Sequence, residues 1–132
     1  MTMKTVPKTP LSALETEVMN AVWDLGEATS AEIVDAVTKR RPLAPTTIRT
    51  VLAKIEEKGY VTRVPTTERA LRYRPSLPRE AVAKQSLRHM VGRLFGGSSK
   101  LAIAQLLADE KLGDDELEEI QKMLSRRRKE KR

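Results

Sequence analysis

The sequence contains no cysteine, which excludes disulfides, thiolate metal sites, redox relays and cysteine nucleophiles together. Its single histidine, His89, excludes a multi-histidine metal site. Aromatics make up only 3% of the chain, namely Trp23, Tyr60, Tyr73 and Phe95. A core with so few rings must come from Leu, Ile, Val, Ala and Met, side chains that suit packed helices. No apolar run approaches the ~20 residues needed to span a bilayer, and the opening MTMKTVPKTP lacks the apolar stretch of a signal peptide. Glycine-rich phosphate loops are missing too, because Gly96-Gly97 is an isolated doublet. These absences read as a soluble, cytoplasmic, mostly helical chain without membrane insertion, catalytic residues, metal or cofactor.

What remains is 132 residues, enough for one ordinary domain or two small ones, with 25 Lys and Arg against 18 Asp and Glu. The net charge of +7 is unevenly spread, since RRRKEKR at 126–132 contributes +5 of it. That basic tail leaves nucleic acid, a membrane surface and plain solvent all open as its environment.

Residues 1–10 carry prolines and no periodic pattern, and read as a disordered arm. Ser12 with Glu15, and Thr29 with Glu32, have the spacing of capping boxes. The first opens a helix over about 12–25, with Leu14, Val18, Ala21, Val22 and Leu25 inward and Trp23 at the edge. The second opens a helix over about 30–40 carrying Ile33, Val34 and Val37. Pro45 suits the first turn of a third helix, about 45–58, which Gly59 ends. The period then changes to alternation at 60–64 and 71–74, around a polar tip at 65–70, which predicts a β-hairpin. Three helices followed by a hairpin is the order of a winged helix-turn-helix.

Three further helices are predicted, over about 78–95, about 98–108 and from Asp114 onward. Together they are too short to bury a good core alone. Their apolar positions, Val82, Met90, Leu94, Leu101, Leu106, Leu107, Leu117, Ile120 and Leu124, therefore need a partner surface, and a second copy of the same segment, a homodimer, is expected over a monomer with the helices folded back. The domain plan is an arm at 1–10, a winged helix at 11–77, a helical dimerisation domain at 78–124 and a basic tail at 125–132. In fold class this is mainly α with a small β-hairpin.

Chemistry points to nucleic acid more than to catalysis. His89 has no nucleophile at a recognisable spacing, and the acids from Asp114 to Glu119 suit a helix N-terminus. On the third helix, Thr46, Thr47, Arg49 and Thr50 fall opposite the apolar stripe, as short hydroxyls and one Arg that can read base edges in a major groove. The same threonines also suit an ordinary solvated surface. Lys54, with Arg63, Arg69, Arg72 and Arg74 of the hairpin, are candidates for the DNA backbone, and alternation puts Arg72 and Arg74 on one face with Leu71 and Tyr73 on the other. The partner is then double-stranded DNA. The alternative is a winged-helix protein-interaction module tethered by its basic tail.

Six ordered stretches make the sequence resemble the BlaI/MecI/CopY family of bacterial repressors, the penicillinase repressor family. They are LETEVMNAVW from Leu14, PTTIRT from Pro45, KGYV from Lys58, RYRP from Arg72, LFGG from Leu94 and LGDDELEEI from Leu112. The resemblance spans about residues 11–124. It implies a dimeric repressor with an N-terminal winged helix and a C-terminal three-helix dimerisation region, binding an inverted-repeat operator with TACA and TGTA half-sites. In one branch of the family a membrane sensor protease relieves repression by cutting the helix after the Gly-Gly turn, which corresponds here to Ala104, Gln105, Leu106 and Leu107. The copper-responsive branch uses Cys-x-Cys pairs, which this chain lacks.

Overall fold

The computed structural model describes residues 6–131. Residues 1–5 of the expected arm, and Arg132 at the end of the expected tail, lie outside the described residues.

Local signals set the helix starts. α1 (Ala13–Leu25) begins at Ser12, whose hydroxyl accepts the Glu15 N–H while the Glu15 carboxylate accepts the Ser12 N–H. α2 (Ser30–Arg40) repeats this capping box with Thr29 and Glu32. α3 (Pro45–Lys58) starts with Pro45, where the missing N–H costs nothing, and ends at Gly59 with φ of 95°, a conformation that favours glycine. The expected hairpin strands are β2 (Val61–Val64) and β3 (Arg72–Pro75). A two-residue strand not anticipated, β1 (Ala28–Thr29), pairs with β3, giving an antiparallel sheet in the order β1-β3-β2. Two residues carry no period, so β1 exists only because β3 offers Tyr73 and Arg72 opposite Ala28 and Thr29. The arrangement is a winged helix.

Its core joins the three helices to the sheet. Val18, Met19, Val22, Ile33, Ile48, Ile55 and Tyr60 are buried in it. Each such aliphatic side chain contributes about 1.5–3 kcal/mol by leaving water. Leu25, expected inward, is instead 42% exposed in the last turn of α1. Leu71 is also exposed, because β3 begins one residue later and only Tyr73 reaches the core.

α4 (Arg79–Leu94) begins against this same core. Leu77 and Val82 are 5% and 4% exposed and belong to the core cluster. Val82, expected on the dimerisation face, is thus covered within the single chain by the winged-helix core. The Trp23 indole N–H donates to the Leu77 carbonyl at 2.9 Å, and Arg79 donates to Asp24 at 2.6 Å while lying over the Trp23 ring.

Residues 6–10 are a strap rather than a disordered arm. Val6 and Leu11 pack on the core. The carbonyls of Pro7, Thr9 and Pro10 accept from Gln85, Tyr60 and Lys58 at 3.4, 2.9 and 3.2 Å. Beneath them the nearly buried Glu15 pairs with Lys58 at 2.6 Å. Burial pushes the Glu15 carboxyl up, but the Lys58 ammonium and the Ser12 donors outweigh it and hold it below its ordinary value.

The chain divides into two compact units, the first ending at Leu87 and the second beginning at Arg88, so the division falls inside α4. In the second unit a turn at Gly96 and Gly97, both with positive φ, leads to α5 (Ser99–Leu107), capped by the Ser98 hydroxyl. α6 (Asp114–Glu130) follows, and it absorbs residues 125–130 of the expected tail as helix. No residue of α5 or α6 is buried. Among the described residues no helix is long and apolar enough to cross a membrane.

Candidate nucleic-acid interface

α3 is two-sided. Ile48, Val51, Leu52 and Ile55 are buried, and the helix packs on α1 and α2. Thr46, Thr47, Arg49, Thr50 and Lys54 are all exposed, as the helical period requires. Four of these, Thr46, Thr47, Thr50 and Lys54, surround with Val51 a shallow depression of about 300 Å³. The Thr50 hydroxyl donates to the Thr46 carbonyl at 2.9 Å, which spends its proton within the helix and leaves its methyl and a lone pair outward.

The two ends of α3 differ. At its N-terminus Ala44 makes no side-chain cap, unlike Ser12 and Thr29 on the neighbouring helices. The first N–H groups of α3 therefore keep their donors for an outside acceptor, and the positive end of the helix dipole favours an anion there. At its C-terminus Lys58 is committed to Glu15 and to the Pro10 carbonyl.

The wing arginines, by contrast, do not act as one group. Arg63 stands opposite Tyr73 in the sheet, with its guanidinium 6.0 Å from the ring centroid and its Nε 2.7 Å from Glu56 of α3. That carboxylate raises the Arg63 pKa further. Arg72 is flanked by Glu27 at 3.8 Å and Glu68 at 3.4 Å. Arg69, in the turn between the strands, and Arg74, opposite Thr62, are exposed. Among the described residues Arg49, Lys54, Arg69 and Arg74 have no ion-pair partner. Glu27 and Glu56 are the residues that sequence reasoning missed, because their pairing with the wing depends on contacts between distant segments. Glu68 stands four residues before Arg72, a spacing that signals a pair only on a helix.

In the second unit Met90, Leu94, Leu101, Leu106, Leu107, Leu117 and Leu124 are exposed, and Ile120 is half-buried. Exposed apolar side chains in such number exceed what an isolated soluble surface normally carries. Leu106 and Leu107 meet Leu117, Ile120 and Leu124 along one groove of about 740 Å³, which Met90, Leu94 and Leu101 do not line. Ala104 and Gln105 are exposed on α5.

Comparison with known proteins agrees with this architecture. The penicillinase repressor family matches residues 11–126. The methicillin resistance regulatory protein MecI of Mammaliicoccus sciuri is 23% identical over 117 residues, covering 89% of this chain and 94% of that protein. A penicillinase repressor of Staphylococcus aureus is 24% identical over 115 residues, covering 87% of this chain and 90% of that one. Among solved structures, the DNA binding domain of the repressor BlaI superimposes with a TM-score of 0.50 at 26% identity, over 60% of this chain and 93% of that domain. With a family match running from the start of α1 to the last turns of α6, this chain belongs to the penicillinase repressor family.

Proposed function

We propose that the protein is a dimeric transcriptional repressor that places α3 in the major groove of a two-fold, inverted-repeat operator. The observation that carries this reading is the outward face of α3, where an uncapped N-terminus, Arg49 and Lys54 stand together with no acid among the described residues paired to them. Arg49 suits a guanine edge, and the Thr50 methyl and lone pair suit a thymine methyl or a base amino group, with Thr46 and Thr47 beside them. The first N–H groups of α3, Lys54, Arg69 and Arg74 take phosphates, which supply affinity and position. Arg63 and Arg72 contribute less field, because Glu56, Glu27 and Glu68 screen them.

The dimer is held by the apolar faces of the second unit, so that two heads bind adjacent half-sites at a high effective concentration. Repression is relieved by proteolysis on α5 at Ala104–Leu107, a stretch exposed in the single chain, by a membrane sensor protease. A cut there breaks the α5 wall of the apolar groove and leaves α3 intact.

A gel-shift titration with DNA from upstream of its own gene, a scrambled competitor and two salt concentrations tests the reading. Retention that survives competitor and saturates at two chains per site is the expected result. Equal loss to scrambled DNA would leave only non-specific charge attraction and overturn it.

A further inference from the structure

α6 changes sign along its length. Residues 114–119 hold five carboxylates and no base, whereas residues 126–131 hold five bases and one acid. Between them Ile120, Met123 and Leu124 line the apolar groove shared with α5. Glu116 and Arg127 line that same groove about three helical turns apart, so it runs from acid through hydrocarbon to base along α6. The helix dipole favours such a gradient at the terminal turns, but it does not call for an apolar groove joining them.

We propose that this groove is self-complementary, and that α6 of a second copy lies in it antiparallel. Glu116 is then set against the partner's Arg127, and the two-fold axis repeats the pair. The same register sets Ile120 against the partner's Met123, apolar on apolar. A parallel alignment would place acid on acid at one end and base on base at the other, repulsive at both. The apolar walls supply the affinity of association, and the terminal charges select its direction and register. The inference rests on the dimeric reading above and adds the orientation of the pairing.

The test is the dimer dissociation constant of the full chain by sedimentation equilibrium, with far-UV circular dichroism to monitor helix content. Two symmetric pairs become repulsive in Glu116→Arg or in Arg127→Glu, and each variant is expected to raise the Kd about tenfold or more. The combined variant E116R/R127E restores opposite charges and is expected to return to within about threefold of the parent. A dipole effect alone predicts the reverse, with the combined variant weakest, and that result overturns the pairing. An unchanged Kd in both single variants overturns it, as does tighter association in Glu116→Gln, which relieves acid facing acid and marks a parallel alignment. If the reversals lose helix, Glu116→Gln and Arg127→Gln take their place. Each is then expected to weaken the dimer and flatten its salt dependence, and an unchanged salt dependence overturns the pairing. A dimeric parent insensitive to these charges defeats the antiparallel pairing alone, whereas a monomeric parent defeats the dimeric reading with it.

Discussion

The Arg49→Ala variant removes a guanidinium that is exposed on α3 and has no ion-pair partner among the described residues. No buried surface is lost, and alanine is at least as good a helix former, so thermal stability should stay within about 0.5 kcal/mol of the parent. The cost falls on DNA. A bidentate contact to guanine contributes about 1–3 kcal/mol of discrimination, and two heads on one operator double that to roughly 2–6 kcal/mol. Since ~1.4 kcal/mol is tenfold, even the lower bound is a loss of more than about tenfold in specific affinity. Fluorescence anisotropy with operator and scrambled duplexes, each titrated with salt, separates base reading from charge. Arg49→Ala should lose affinity for the operator far more than for scrambled DNA. Lys54→Ala should weaken both alike and lower the salt slope by about 0.9 per phosphate contact. An unchanged ratio of specific to non-specific affinity in Arg49→Ala would refute base reading by this residue.

Four other perturbations test the rest of the molecule. Leu106→Asp puts a charge on the wall of the apolar groove, and the expected outcome is a monomer by light scattering; a variant that remains dimeric removes α5 from the interface. Tyr60→Phe deletes the hydroxyl that donates to the Thr9 carbonyl, at an expected cost of about 1 kcal/mol in urea unfolding, and an unaltered midpoint would show that the strap does not hold in solution. Glu15, Asp24 and Glu32 have carboxyls held below their ordinary values, by Lys58 with the Ser12 donors, by Arg79 with Arg40, and by the Thr29 donors respectively. Their stabilisation is complete above the unfolded carboxylate range near pH ~4–4.5 and is lost as pH falls through the lowered values, so unfolding midpoints should drop on acidification. Glu15→Gln should cost about 1.5–3 kcal/mol at pH 7 and flatten part of that acid dependence; an unchanged acid limb would contradict the pairing with Lys58.

Much of the winged helix was legible in the residues themselves. Capping boxes at Ser12 and Thr29, Pro45 at a first helical turn and the stop at Gly59 act within a few residues, and the helices begin and end where those signals stand. The outward face of α3 followed from the helical period alone, since burying Ile48, Leu52 and Ile55 leaves Thr46, Arg49 and Lys54 outside. The exposed apolar positions of α5 and α6 were legible for the same reason: two short helices cannot cover both their stripes.

Tertiary structure decided what depends on residues far apart in the chain. β1 is too short to have a pattern and is made by its pairing with β3. The strap is irregular backbone held by the side chains of Lys58, Tyr60 and Gln85, which no local signal at residues 6–10 announces. Val82 carries the same apolar character as Met90 and Leu94, yet the start of α4 rests on the winged-helix core and buries only Val82 among the three. Five basic candidates looked alike in sequence, and the fold divided them by where it put the acids. Glu56, Glu27 and Glu68 lie beside Arg63 and Arg72, while Lys54, Arg69 and Arg74 have no ion-pair partner among the described residues. Capping and periodicity are short-range properties that a sequence carries openly; burial and charge pairing are set by distance in space, which only the folded chain defines.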